Sequence, residues 1–217
     1  MHAVAEIVIP PNRDIAESVK QIMEYFFDED DKGNKTDHAD WWDFYVIGGR
    51  FSGHKLEASL GEEKLQAFRE ELIRRKVTVS CLQCGKQELN PASQIPMVDA
   101  LWLEMFPGKG EACPLFAHAR NQYGKRGIYA DDVCKVSEIP GSLTAERIIV
   151  AGPHWEDPAR IIPVRMWATE WWNHVEHQKT AWDGNVKAAL AAMRAETGYR
   201  KVQVTDEWVV VTVDYHN

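Results

Sequence analysis

The chain has 217 residues (24.8 kDa), and 45% of them are apolar, which is enough to bury a substantial core and argues against global disorder. A net charge of −8 and a pI near 5.5 disfavour an extended contact with nucleic acid, because such contacts need a basic surface. The sequence has no run of about 18 apolar residues, and its opening lacks a secretory signal, so we expect a cytosolic protein without a membrane partner.

The first third of the chain predicts a strand, a helix and a long exposed loop. Residues 3–9 are almost continuously apolar, as in a buried strand, and apolar residues then recur at helical spacing over 14–27. Asp14 is the expected N-cap of this helix. Residues 28–40 are polar and charged, which favours a surface loop, and a second amphipathic helix is predicted over 62–76.

The second half predicts further strands and helices around a segment rich in tryptophan and histidine. A short helix should end at Pro107, and a clearer one should cover 183–196. Prolines make the first half of 152–182 irregular, whereas its second half is predicted as helix. The chain should close with a hairpin whose last strand is WVVVTVDYH, 208–216.

The order of these elements predicts an α+β fold, with a mixed or antiparallel sheet and helices packed on it. We interpret residues 1–217 as a single domain. Residues 77–120, which carry a cysteine motif, are interpreted as an inserted zinc-knuckle subdomain.

The stretch WWDFYVIGGRFSG, 41–53, is the densest local combination of aromatic rings and anion donors. Gly-Gly between two strand-like tetrads predicts a tight hairpin, because both central positions of such a turn need positive φ, with Asp43 and Arg50 as surface charges. The functional interpretation adds that glycine amides approach a phosphate, that an arginine supplies a bidentate fork, and that aromatic rings stack on a ligand. The predicted ligand site comprises Trp41, Trp42, Asp43, Tyr45, Gly48, Gly49 and Arg50.

Two motifs carry a resemblance to a known group of proteins. The first is W-D-x-Y-x-I-G-G-R-x-x-G, formed by Trp42, Asp43, Tyr45, Ile47, Gly48, Gly49, Arg50 and Gly53. The second is an ending similar to V-V-D-x-H, here VTVDYH from Val211 to His216, with Thr212 as an interruption. Together they resemble small uncharacterised proteins of tailed-phage genomes. The resemblance covers about 20 residues, implies a phage or prophage origin and implies no activity.

The cysteines predict a structural zinc ion. Cys81 and Cys84 have the spacing of a zinc knuckle, in which two thiolates on a tight turn bind one tetrahedral ion. Cys113 is the expected third ligand, and His118 or Cys134 is the fourth. The alternative is four cysteines without a metal.

Catalysis has weaker support in the sequence. The chain contains no nucleophile elbow, Walker loop or dinucleotide-binding fingerprint. His154, Asp214 and His216 are acid–base candidates, and the last two share one face of a strand because they are two residues apart. An enzyme site would unite Arg50, His154 and Asp214.

Three functions are open on this basis. The leading one is a phage accessory protein with an anti-defence role, which binds a phosphorylated or nucleotide-like ligand through WWDFYVIGGR in the host cytoplasm without turnover. The second is an acidic inhibitor that covers a basic surface of a host protein complex with residues 28–43. The third is a hydrolytic enzyme that acts on a nucleotide.

Overall fold

A computed structural model describes residues 2–26, 42–80, 87–89, 94–108, 113, 132–168, 184–195 and 203–216. Its helices and strands are β1 (His2–Ile9), α1 (Ile15–Tyr25), β2 (Phe44–Ile47), α2 (His54–Leu60), α3 (Glu62–Arg74), β3 (Thr78–Ser80), β4 (Gln87–Leu89), α4 (Ile95–Met105), β5 (Val133–Lys135), β6 (Arg147–Pro153), β7 (Ile161–Ala168), α5 (Val186–Ala195) and β8 (Val209–His216). Short 3₁₀ turns cover Gly49–Phe51 and Val136–Glu138.

A mixed six-stranded sheet organises the molecule. The strand order is β2-β8-β1-β6-β7. Strand β5 pairs with the same edge of β8 as β2 does, but at the start of β8 and not at its end. The β1–β6 pair is parallel and the other pairs in this sheet are antiparallel. The short strands β3 and β4 pair with each other. The predicted α+β class is confirmed.

Both faces of the sheet are covered, which explains why β1 and β8 are nearly continuous apolar runs. Because side chains alternate along a strand, Ile7 of β1 faces α1, whereas Val8 faces α5. Helix α1 contributes Val19, Ile22 and Met23 to its face of the core. Its start is the predicted one, since the Asp14 carboxylate accepts the Glu17 amide at 2.8 Å.

A third hydrophobic cluster lies apart from the sheet. It packs α3, through Leu65, Phe68 and Leu72, against α4, through Leu101 and Trp102. Helix α3 precedes the predicted 77–120 insert and α4 lies inside it, so this cluster joins the insert to the preceding helix.

The predicted Gly48-Gly49 hairpin is wrong. Strand β2 pairs with β8, and the chain then turns through the 3₁₀ segment into α2. Both glycines do have the expected positive φ, +69° and +52°. The cause is a tertiary contact. Strand β2 pairs with the edge of β8 and therefore does not pair with the residues that follow the glycines.

Two further predictions in the second half are corrected. The terminal hairpin is wrong, because β8 pairs with β1, β2 and β5, and 203–207 contains no strand. Part of the segment expected to be irregular is strand β7, which tolerates Pro163 because it is an edge strand and the register shifts there. In the described part of the chain, no helix has the length and apolar character needed to cross a membrane.

Candidate functional site

A line of polar side chains crosses one face of the sheet on its two central strands. The paired residues are His2 with His216, Val4 with Asp214, and Glu6 with Thr212. Residues opposite each other in an antiparallel pair point to the same side, and so do residues two apart on one strand. The line therefore runs from two histidines at the end of the sheet into the core.

The inner part of this line is a buried charge network. Lys55 of α2 donates through Nζ to Glu6 Oε2 at 2.7 Å and also to the Thr212 hydroxyl. That hydroxyl donates to Glu6 Oε1 at 2.8 Å. Glu6 is 0% exposed and Lys55 is 4% exposed, so both charges have lost their hydration and are stabilised by these internal hydrogen bonds. The network ties α2 to β1 and β8.

The glycine motif closes over two buried carboxylates. The Arg50 amide donates to Asp214 Oδ2 at 2.9 Å, and the Gly53 amide donates to Asp132 Oδ1 at 2.9 Å. The Ser52 hydroxyl donates to Asp132 Oδ2 at 2.8 Å. Asp132 and Asp214 are each 1% exposed. The motif thus supplies the donors that two buried carboxylates require.

Glycine is required at both turn positions for space as well as for φ. A Cβ atom on Gly49 would lie 2.6 Å from Asp214 Oδ2 and 2.7 Å from Val46 Cγ1. A Cβ on Gly48 would overlap the Asp132 carboxylate. The Gly48 amide donates to the Thr212 carbonyl at 2.9 Å, between the points where β2 leaves β8 and β5 joins it.

These contacts change the interpretation of the motif as a phosphate cradle. The amides of Gly48, Arg50 and Gly53 all donate to oxygens of the chain itself. They are therefore not available to an external anion. The Arg50 side chain, by contrast, is exposed.

The outer end of the polar line carries two histidine–carboxylate pairs. His2 Nδ1 lies 2.8 Å from Asp214 Oδ1, and His216 Nδ1 lies 2.9 Å from Asp43 Oδ1. The imidazole centres are 5.2 Å apart. The His2 and His216 side chains are 25% and 40% exposed, so solvent reaches both. The hydrogen bond from His216 holds the pKa of Asp43 below its usual value.

The two carboxylates determine which nitrogen of each imidazole carries the hydrogen. An ionised carboxylate only accepts hydrogen bonds, so Nδ1 of each ring carries the hydrogen and Nε2 is left for other chemistry. In the described parts of the chain, neither Nε2 atom nor the Arg50 guanidinium has a hydrogen-bond or ion-pair partner. Phe44 is 46% exposed, and its ring is edge-on to the His2 ring, with the two ring centres 6.2 Å apart. We call His2, His216, Arg50 and Phe44 the imidazole site.

Asp214 links Arg50 to this site. One of its oxygens accepts the Arg50 amide and the other contacts His2 Nδ1, so the Arg50 backbone lies within two hydrogen bonds of the imidazole. The Arg50 backbone therefore lies beside the two rings, and its side chain is exposed. His2 was missed at the sequence level, because a histidine at a strand end has no motif around it. Asp132 was missed for the same reason.

The predicted aromatic faces are in different places. Trp42 is 1% exposed and donates through Nε1 to the Met23 carbonyl at 2.8 Å. The Arg147 guanidinium lies over its ring, with Cζ 5.7 Å from the ring centre. Trp42 is therefore a core residue and cannot stack on a ligand. Tyr45 is half-buried against the same cluster. Burial raises its pKa. Trp41 and the predicted 28–40 loop lie outside the described residues.

The predicted zinc ligands are only partly described. Cys81, Cys84 and His118 lie outside the described residues, so the zinc ion stays a prediction. Cys113 is buried in the α3–α4 cluster, whereas Cys134 is on β5 and packs against the α5 face of the sheet. Burial raises the pKa of the Cys134 thiol to about 11, which disfavours the thiolate that zinc requires. Among the described residues, no three potential ligands are grouped for a metal.

The three residues proposed for an enzyme site are not all together. Arg50 and Asp214 meet, as described above, but His154 follows β6, whose parallel pairing with β1 places it beyond the opposite end of the sheet from His2. His154 stacks on the exposed Trp155 at 5.9 Å. The expected common face of Asp214 and His216 agrees with the strand register, although each has a different partner.

The two motifs that carry the phage resemblance pack against each other. Asp43 of the first pairs with His216 of the second, and the Arg50 amide bonds Asp214. No protein-family model matches the chain, and neither a similar curated protein nor a similar solved structure was found.

Proposed function

We propose that the protein binds a phosphorylated small molecule, with a nucleotide-like ligand as the leading class, at the imidazole site. The observation that carries this proposal is the sharing of Asp214: one buried carboxylate fixes both the Arg50 backbone and the His2 ring, beside a second oriented imidazole. A guanidinium is a strong donor to phosphate oxygens, and so is the Nε2–H of each imidazole when the ring is protonated. Phe44 offers the exposed ring edge or face that a base would contact.

This proposal keeps the ligand class predicted from the sequence and replaces most of its donor set. The amides of Gly48 and Gly53 and the Trp42 indole are excluded by their internal partners, whereas Arg50 remains. Orientation by the chain's own carboxylates lowers the cost of binding, since fewer side-chain rotamers are immobilised when the ligand arrives. The resemblance to tailed-phage proteins supports an accessory role in the infected host cell as the setting.

The proposal is tested by a thermal-shift screen followed by calorimetry. The screen uses inorganic phosphate, mononucleotides and cyclic nucleotides, because a ligand at 100 times its Kd stabilises a protein by about 2.7 kcal/mol. For a ligand that binds, Arg50→Ala should weaken affinity by about 1.5 to 3 kcal/mol without unfolding the protein, and Arg50→Lys should restore part of it. Arg160→Ala removes another exposed arginine, at the far end of the sheet, and is the matched control.

Equal affinity in the parent and in Arg50→Ala would exclude the imidazole site as the binding surface. The absence of stabilisation by every phosphorylated compound in the screen would exclude the ligand class.

A further inference from the structure

We propose that His2 and His216 act as a general acid–base pair that hydrolyses a phosphodiester, which makes the protein an enzyme as well as a binding protein. The inference rests on the proposed function, because it needs a phosphorylated ligand at the same site. It differs from that function by predicting turnover.

The first step of the argument is the pairing of each ring with its own carboxylate. Asp214 holds His2 and Asp43 holds His216, in both cases through Nδ1. A histidine oriented in this way presents Nε2 as a base when neutral and as an acid when protonated. The two pairs lie side by side at the end of the sheet, because His2 and His216 are cross-strand partners.

The second step is the distance between the rings. Their centres are 5.2 Å apart, and each Nε2 lies little more than a bond length from its ring centre. A phosphate group presents several oxygens, each of which is contacted by a catalytic group at about 2.6 to 3.2 Å. Both Nε2 atoms are therefore close enough to contact one phosphate group.

The third step is the rigidity of the scaffold. His2 and His216 are cross-strand partners in the central β1–β8 pair, and Asp214 is 1% exposed. Sites on strands hold catalytic geometry better than sites on loops. Arg50 supplies a cation for the charge on the phosphate oxygens, as electrostatic catalysis of phosphoryl transfer requires.

The reaction is a hydrolysis with water as the nucleophile. One imidazole accepts a proton from water at Nε2 while the water oxygen forms a bond to phosphorus. The bond from phosphorus to the ester oxygen breaks, and the departing alkoxide takes the Nε2 proton of the other imidazolium. The products are a phosphomonoester and an alcohol, which remain in one molecule when the diester is cyclic.

A phosphodiester is the substrate class favoured by this pair. Its leaving group is an alkoxide, which is poor unless it receives a proton, so a general acid accelerates its departure by about 10² to 10⁴. Both imidazoles are then used.

The experiment compares turnover and affinity in the full-length protein. The substrates are 3′,5′-cyclic AMP and a cyclic dinucleotide, with ring opening followed by chromatography and ³¹P NMR. The variants are His2→Asn and His216→Asn, because the asparagine amide retains a donor near the Nδ1 position for Asp214 or Asp43 and lacks Nε2. His154→Asn removes a histidine at the opposite end of the sheet and is the control.

We expect the parent and His154→Asn to open the ring, and each of the other two variants to lose roughly 10²-fold or more in kcat. Their Kd for the same cyclic nucleotide should stay measurable, since Arg50 remains, so kcat is compared at saturating substrate. A parent protein that binds a cyclic nucleotide without opening either ring would overturn this inference and leave the proposed function standing. Unchanged kcat in both asparagine variants would also overturn the inference. Failure of the parent to bind any cyclic or other phosphorylated compound would instead exclude the proposed function itself.

Discussion

Replacing Lys55 by methionine should destabilise the protein strongly while leaving its shape intact. Glu6 is 0% exposed, and its charged partner is Lys55 Nζ at 2.7 Å. Methionine keeps the apolar stem and removes the ammonium, so the Glu6 carboxylate stays in the core with the Thr212 hydroxyl alone. Removing one partner of a buried ion pair costs about 3 to 5 kcal/mol. This loss would be a large part of the stability of an ordinary domain.

The assay is equilibrium unfolding in urea at neutral pH, with the midpoint and slope compared between variants. Adding Glu6→Gln should recover most of the loss, because it removes the uncompensated charge and leaves a neutral group that still bonds Thr212. Lys20→Met is the control: its pair with Glu24 is long, 3.9 Å, and more than half exposed, so its removal should cost less than about 1 kcal/mol. A Lys55→Met variant as stable as Lys20→Met would refute the view that this pair holds α2 on the sheet.

We expect four more outcomes, three from the structure and one, the zinc content, from the sequence. Gly49→Ala should lower the free energy of unfolding by about 1 to 3 kcal/mol, because the position has φ +52° and no room for a Cβ, and a parent-like urea midpoint would contradict this. NMR titration should find the pKa of Asp43 below that of an ordinary aspartate, so the stabilisation it gives is present at neutral pH and is lost as pH falls through that lowered value. In His216→Ala, which removes the hydrogen-bond donor, the pKa of Asp43 should rise, and no change would exclude the pairing. Cys81→Ser should abolish any zinc measured in the purified protein, whereas Cys134→Ser should leave the zinc content unchanged, and zinc loss in Cys134→Ser would contradict this. Cys134 should react with iodoacetamide far more slowly in the native protein than in urea, because burial raises the pKa of its thiol to about 11. Rapid alkylation of the native protein would contradict this expectation.

The sequence predicted the elements whose evidence is local. Apolar periodicity located α1, and Asp14 gave its start, because a cap and an amphipathic face are properties of a few consecutive residues. The positive φ of both turn glycines is observed as expected, although the hairpin from which it was predicted does not form. The partner of β2 was not predicted, since the choice between a local hairpin and β8 depends on a strand about 170 residues away.

The candidate site was predictable only in part. Arg50, Asp43, Asp214 and His216 were singled out from two motifs, but the separate motifs gave no reason to pair Asp43 with His216. His2 joins the site solely through the register of β1 and β8. Burial also changes the role that a residue can have. The sequence does not distinguish a buried tryptophan from an exposed one that stacks on a ligand, and Trp42 is part of the core.

A titration of ¹⁵N-labelled protein with inorganic phosphate, observed through the imidazole nitrogens, tests the central claim most directly. Phosphate bound at the imidazole site should shift the Nε2 resonances of His2 and His216 along one saturable curve while the His154 resonances stay in place, and Arg50→Ala should move that curve to higher phosphate concentration. Unchanged His2 and His216 resonances at saturating phosphate, or equal shifts at His154, would contradict the account.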